Sequence, residues 1–332
     1  MELFIKERGK VMSLIATGSY APKLSLENDH LTTLVDTSSE WIEKRTGIKK
    51  RNISAGENTS DLAYKAAQSA IENSGISIDE IDLVLVATIT PDHFTPSTAS
   101  IVQGKLGIKN AIAFDLSAGC TGFVYALGVA SSMIGKGIAK NALIIGSEVL
   151  SKVIDYSDRN TCVIFGDGAG AIVLTKDLNE KIKDIYLQGE YDTGHNIQIQ
   201  SVNVSNALFS SEIESSLPKL SMNGGEVYKF ALGALNELIQ VLLERNNLSS
   251  DDITYIVPHQ ANFRIIEAVS KKLNIDINKF YVNIENYGNT SSASIPIALA
   301  EMNSKGLLKK GDKIILAGFG AGLTWGSILV EW

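Results

Sequence analysis

The strongest constraint on this 332-residue chain is an internal repeat. An apolar, strand-like run begins at Ile81, and another at Ile253, 172 positions later. Leu143-Ile144-Ile145 returns as Ile314-Ile315-Leu316 after 171 positions, and an elbow of small residues carrying Cys120 has a counterpart at Asn289 after 169. The helix predicted over Ser97–Leu106 matches Phe263–Leu273. The last strand, Gly326–Val330, answers the run ending at Leu174 at a shorter offset of about 156, which leaves about 15 extra residues, SEVLSKVIDYSDRNT, in the first half. A nearly constant offset over four elements requires two copies of one unit. The unit alternates strands with helices, so the expected fold is α/β with parallel sheets and pseudo-twofold symmetry between an N-terminal half, 1–178, and a C-terminal half, 179–332.

Local signals supply the parts. Val11–Thr17 reads as a first strand and Ser38–Arg45 as a short helix holding Trp41. Thr59, Ser60 or Asp61 can cap a helix that runs to about Asn73 and stops at Gly75. Ile81–Thr88 and Ala142–Gly146 are continuous apolar strands of the kind buried on both faces. Cys162–Phe165 and Ala169–Leu174 flank a Gly-Asp-Gly turn and suggest a hairpin, and a strand is expected near Phe280–Ile284. Glu226–Arg245 reads as a long helix, and Lys176–Leu220 as a junction with some β-structure.

Three groups stand out for chemistry. The stretch AIAFDLSAGCTGFVYALGVA places Cys120 between a strand and a helical run, where a helix N-terminus favours a thiolate. A lone cysteine is more often a buried structural residue, and Cys162, in a strand-like run, reads that way. His259 follows the strand Ile253–Val257 in VPHQAN, whereas His30, His93 and His195 lie in polar, surface-like context. A histidine after a buried strand is often satisfied within the core, and Asn289 in Gly-Asn-Thr is an ordinary turn residue. The repeat changes their weight: equivalent elbows face one cleft at the strand C-terminal ends, where open α/β sheets bind ligands.

Composition narrows the classes. A net charge of −7 gives no global basic field for nucleic acid. Two cysteines are too few for a disulfide framework. No apolar run reaches the ~18–20 residues of a membrane span, and the charged N-terminus lacks a signal-peptide core. A soluble, cytoplasmic enzyme is expected.

The motifs DLSAGCTGF, SDRNTCVIFGDGAGA, VPHQANFRII, NYGNTSSASIP, GFGAGLTWGS and SSEWIEKRTGI together resemble β-ketoacyl-acyl carrier protein synthase III of the thiolase superfamily, from about Leu14 to Trp332. The resemblance implies a five-layer αβαβα thiolase-like fold and a decarboxylative Claisen condensation of an acyl-CoA primer with malonyl-acyl carrier protein. It implies catalytic Cys120, His259 and Asn289, with the backbone N–H groups of Cys120 and Ala321 as the oxyanion hole. Trp41 and Arg159 would bracket the CoA adenine, Arg45 would contact a phosphate or the adenine, and Gly224 and Asn262 the pantetheine. Thr95 and Phe319 would line the acyl pocket, and Lys229, Arg264, Lys271 and Lys272 would dock the carrier protein. The resemblance further implies a homodimer with no metal or redox cofactor.

Two departures are visible. The nucleophile segment reads Ala-Gly-Cys-Thr-Gly where many relatives have Ala-Ala-Cys-Ala/Ser-Gly, and Thr95 stands where several short-chain relatives place Phe, hinting at longer primers. Gly320-Ala321-Gly322 lacks the second cysteine of a thiolase. A synthase of secondary metabolism with another acceptor, and a Cys-His-Asn thioester hydrolase, are the competing readings.

Overall fold

The computed structural model describes residues 16–200 and 218–332. Most of the expected first strand lies outside them; from Ala16 the chain is a strand, Ala16–Tyr20. It edges a five-stranded sheet in the order Ala16–Tyr20, Gly168–Thr175, Asn141–Glu148, Leu83–Ala87, Ile112–Leu116. A second sheet runs Tyr255–Pro258, Lys313–Gly320, Thr324–Glu331, Ile182–Gly189. Leu83–Ala87 pairs in parallel with Ala142–Gly146, and Tyr255–Pro258 in parallel with Ile314–Ala317, at the offset seen in the sequence. The second sheet thus repeats four strands of the first in the same relative order.

Hydrophobic patterning makes the layers. Leu83–Ala87 is buried at every position, as a strand covered on both faces must be. One face meets Ala63, Ala66 and Ala67 of the helix Thr59–Ser74 and Val102 of Thr98–Leu106. The other meets Phe123, Leu127 and Ala130 of Gly122–Gly135 and Ile295, Leu299 and Met302 of Ser294–Ser304. Ile314, Leu316 and Ile328 of the second sheet close on the same two helices. Leu235, Leu238 and Ile239 of Gly224–Arg245 and Ile266 and Val269 of Phe263–Leu273 cover its outer face. Helices, sheet, helices, sheet and helices are the five layers of a thiolase-like fold. Complete burial of one such side chain contributes about 1.5–3 kcal/mol.

Two expected strands are absent. Arg159–Cys162 is a helical turn because the Asp158 carboxylate accepts from the Asn160 N–H at 2.9 Å; only Phe165 extends beyond it, bridging to Asn289, so the expected hairpin does not form. Phe280 makes one parallel bridge to Ile256, and Ile284–Tyr287 is helical. There the Gln260 side chain replaces a neighbouring strand, donating to the Tyr281 carbonyl at 3.1 Å and accepting from the Asn283 N–H at 3.1 Å. The junction contributes Ile182–Gly189 to the second sheet, and Ile197–Ile199 pairs with Leu220–Met222.

Candidate active site

Cys120 lies in a single tight turn, Gly119–Thr121, between the strand Ile112–Leu116 and the helix Gly122–Gly135. Gly119 has φ +54°, and a Cβ there would fall 2.8 Å from the Ala321 carbonyl oxygen and 3.0 Å from its nitrogen. A Cβ on Gly320 would fall 2.7 Å from the Cys120 nitrogen. Glycine at both positions lets the Gly320-Ala321 backbone press against the cysteine turn. The thiol is buried, and burial pushes it up to about 12, outweighing the lowering by the neighbouring Ser291 side chain, while the nearby Glu148 carboxylate adds to the rise. Burial therefore opposes the help that the helix N-terminus gives the thiolate. Desolvation is the larger effect, and the group is held as a thiol.

The register of the repeat is sharper than the sequence offset. Gly119–Thr121 corresponds to the turn Ser291–Ala293, both 172 positions apart and both leading into a central helix. Ser291 has φ +50°, matching Gly119. Cys120 therefore mirrors Ser292, and Asn289 sits three residues upstream of that equivalence.

Asn289 is held by its backbone: its N–H donates to the Ile164 carbonyl at 2.9 Å, and its carbonyl accepts from Gly166 at 3.0 Å. Its Oδ1 accepts from the Ser291 N–H at 2.8 Å, so the NH₂ end of the amide is the one left to donate. His259 extends past the strand Tyr255–Pro258, its N–H donating to the Ala317 carbonyl at 2.8 Å. Its Nδ1 lies 2.7 Å from Ser294 Oγ, which also accepts from the Gln260 N–H. In the tautomer in which the Ser294 O–H donates to Nδ1, the ring proton sits on Nε2. Burial pushes the imidazole down to about 3, so it is neutral.

One buried acid was not singled out from the sequence. Glu148 ends the strand Asn141–Glu148, and its carboxylate accepts from Thr88 Oγ1 at 3.2 Å, Thr90 Oγ1 at 2.6 Å, the Ile89 N–H at 3.1 Å, Ser291 Oγ at 3.3 Å and Ser292 Oγ at 2.8 Å. Burial pushes it up to about 6. A carboxylate closing the apolar run NALIIGSE was the available signal.

A cleft of about 1250 Å³ opens at Cys120, with Ala321, Ser291 and Thr95 in its walls and Leu150, Val153, Phe165 and Leu220 forming an apolar side. Thr95 is exposed, beside Phe94 at 84% exposure. Phe319 does not line this cleft: its ring is buried edge-on to His259, 5.3 Å between centroids. His93, as expected, is exposed, at the cleft wall; His30 and His195 are exposed too. Cys162 is buried at the end of its helical turn rather than in a strand.

Four of the residues expected to meet CoA form two contacting pairs. The Arg159 guanidinium stands 5.2 Å from the Trp41 ring centroid, and the Asn262 amide donates to the Arg45 carbonyl at 3.2 Å. The Trp41–Arg159 pair is closed on itself, since a ring between them would need ~3.5 Å on each side. Gly224 starts the helix Gly224–Arg245, and a Cβ there would meet only the Met222 methyl at 3.9 Å. Lys229 pairs with Glu226 and Lys271 with Glu267 along their own helices, while Arg264 and Lys272 are exposed. Among the described residues no cluster of three metal-ligating side chains forms, and no helix is long and apolar enough to cross a membrane.

The layered fold with a cysteine elbow between its sheets is that of the thiolase-like acyltransferases. Residues 114–190 match the family profile of 3-oxoacyl-[acyl-carrier-protein] synthase III, and 243–332 the profile of its C-terminal part. The chain is 50% identical to the β-ketoacyl-[acyl-carrier-protein] synthase III of Clostridium tetani, over 98% of this chain and 99% of that one. The crystal structure of 3-oxoacyl-[acyl-carrier-protein] synthase III from Aquifex aeolicus superposes with a TM-score of 0.88 at 42% identity, covering 96% and 98% of the two chains. The priming β-ketosynthase of the R1128 polyketide pathway gives 0.87 at 33%, covering 95% and 94%. The chain belongs to the 3-oxoacyl-[acyl-carrier-protein] synthase III family, and it is a transferase of fatty-acid biosynthesis.

Proposed function

We propose that the chain joins an acyl-CoA primer to malonyl-acyl carrier protein, giving a 3-oxoacyl-carrier protein, CoA and CO₂. The observation that carries the residue roles is one segment, Asn289 to Ser294. Through Ser291 it touches both the Cys120 thiol and the Asn289 amide, and through Ser294 it orients His259.

Cys120 Sγ attacks the acyl thioester, and the N–H groups of Cys120 and Ala321 receive the developing oxyanion. CoA leaves, and the acyl group stays on sulfur. Malonyl-carrier protein then loses CO₂, and charge moves to its thioester oxygen. The neutral His259 donates from Nε2 and Asn289 from its NH₂ group to that oxygen. A cationic imidazole is not required, because the enolate needs hydrogen bonds rather than a proton. The enolate carbon attacks the acyl-cysteine, the S–C bond breaks with Cys120 leaving as a thiolate, and a proton taken up from solvent restores the thiol. These steps use no metal or redox cofactor.

Arg45, Gly224 and Asn262 meet the CoA arm, with Trp41 and Arg159 parting to take its adenine. Lys229, Arg264, Lys271 and Lys272 form the cationic dock for the acidic carrier protein. The apolar cleft wall and the small Thr95 side chain favour primers longer than acetyl. The edge strand Ile112–Leu116, with Ile112 43% exposed, offers the face on which two copies pair in the cytoplasm.

Intact-mass measurement after acyl-CoA, with and without malonyl-carrier protein, tests this reading. Acyl mass on Cys120 that disappears on adding malonyl-carrier protein supports it. Hydrolysis that ignores malonyl-carrier protein indicates a thioesterase, and turnover only with another acceptor indicates a secondary-metabolite synthase. Comparison of acetyl-, branched- and octanoyl-CoA reads the primer preference, and strict use of acetyl overturns the longer-primer reading.

A further inference from the structure

Acylation of Cys120 must move a proton. The site holds a thiol, and the products are an acyl-cysteine and CoA with its own thiol restored. With its Nε2 protonated, as the proposed enolate role requires, His259 cannot accept this proton there, and its Nδ1 is taken by Ser294. The Ser291 side chain, however, neighbours the Cys120 thiol in the cleft wall, and its hydroxyl donates to Glu148 Oε1 at 3.3 Å. Ser291 is thereby placed between the sulfur and a buried carboxylate.

We propose that Glu148 is the proton acceptor for Cys120 during acylation, reached through the Ser291 hydroxyl. This inference rests on the reading of Cys120 as the nucleophile. As sulfur attacks the thioester carbon, its proton passes to Ser291 Oγ and the Ser291 proton passes to Glu148 Oε1. The S–C bond forms, and the oxyanion collapses with loss of the CoA sulfur. The proton returns from Glu148 to Ser291 Oγ, and the Ser291 proton passes to the leaving CoA thiolate, so Glu148 ends the half-reaction ionised and Ser291 unchanged. Glu148 touches no reacting atom itself and acts only through the serine.

The surroundings suit this task. The Thr88–Thr90 loop and the turn Ser291–Ala293 present hydroxyl and N–H donors to the carboxylate. The titratable groups around it are Cys120 and, on the next turn, Lys152, which also feels Asp61, Asp92 and Asp167. A carboxyl lifted to about 6 by burial is ionised at neutral pH and still basic enough to hold a proton briefly. Four hydroxyls and an N–H keep it in place, and two of the hydroxyls come from the second half of the chain.

The test is single-turnover acylation of the full chain by acyl-CoA as a function of pH, alongside malonyl-carrier protein decarboxylation and thermal midpoint. Wild type, Glu148→Gln, Ser291→Ala and the double variant are compared. Expected is a fall in acylation of roughly a hundredfold in each single variant, with the double variant no slower. Decarboxylation by the same variants should change by only a few fold. The loss of rate expected below pH 6 in wild type should vanish in Glu148→Gln. Wild-type acylation rates in Glu148→Gln, or losses that multiply in the double variant, overturn the relay. A shared loss of both half-reactions with a lowered midpoint assigns Glu148 a structural role and also overturns it; Ser291→Ala, which keeps the carboxylate, guards against a Glu148→Gln chain that fails to fold. A wild-type chain that takes no acyl group on Cys120 overturns the site reading instead.

Discussion

Ser294 Oγ stands 2.7 Å from His259 Nδ1, and that contact decides which nitrogen of the imidazole can donate into the site. Replacing Ser294 with Ala leaves a buried ring nitrogen without its donor, at about 1–3 kcal/mol. Malonyl decarboxylation is expected to fall roughly ten- to a hundredfold in Ser294→Ala, with acylation of Cys120 largely retained. Separate assays of the two half-reactions check this, and equal losses in both count against it.

In the proposed mechanism, Asn289→Ala removes a donor to the enolate oxygen. A lost oxyanion donor typically lowers rate by ~10²–10³, so decarboxylation and condensation should fall by that amount. Acyl transfer onto Cys120 should persist, because the proposed oxyanion hole is the backbone of Cys120 and Ala321, which the substitution leaves in place. Intact mass after acyl-CoA alone provides the control.

Two buried groups act on stability with opposite signs. His259 is held down to about 3, so the unfolded chain takes up a proton from pH 6.5 downward and the folded chain does not. Its contribution is present above pH 6.5 and is lost as pH falls. Glu148 is held up at about 6 against an ordinary 4.5, so the folded chain takes its proton first and stability is regained between pH 6 and 4.5. Each can supply a slope of at most about 1.4 kcal/mol per pH unit. Urea midpoints should therefore fall only shallowly over pH 6 to 4.5 in wild type and more steeply in Glu148→Gln. Identical slopes would refute the opposition.

Glycines near the site should differ sharply in tolerance. Gly320→Ala drives a methyl to 2.7 Å from the Cys120 nitrogen, where backbone must move. Overpacking of this kind costs ~1–3 kcal/mol, and acylation should drop with it. Gly224→Ala meets only the Met222 methyl at 3.9 Å and should leave the thermal midpoint unchanged. The two melting curves, run together, check the contrast.

Trp41→Ala and Arg159→Ala should each raise KM for acyl-CoA by roughly three- to thirtyfold, the range of a stacked cation–π contact. The same variants should leave KM for malonyl-carrier protein, and use of an acyl-pantetheine lacking the nucleotide, unchanged. An equal rise for all three substrates removes both residues from nucleotide recognition.

The layers were legible because burial on both faces leaves continuous apolar strands such as Leu83–Ala87, and because the duplicated unit keeps its spacing. What escaped was chemistry made by side chains far apart in sequence. Gln260 satisfies backbone groups at Tyr281 and Asn283, and so removes a strand that the apolar run Phe280–Ile284 advertises. Glu148 looks like the solvated end of a strand until Thr88 and Ser292, 60 and 144 residues away, close over it. Phe319 reads as a pocket residue from its motif, yet its strand register turns it against His259. The burial of the Cys120 thiol is hidden for a related reason: helix position is visible in sequence, whereas the depth that sets desolvation is not.

Asn289 is anchored by Ile164 and Gly166, more than a hundred positions earlier. A ribosome releasing this chain thus makes the nucleophile well before the residues that would hold the enolate, and neither is in register until the late segment docks on the early one. The order of synthesis itself postpones carbon–carbon bond formation until the polypeptide is nearly complete. Two co-expressed fragments, cut between the sheets, should form condensing enzyme only upon reassociation.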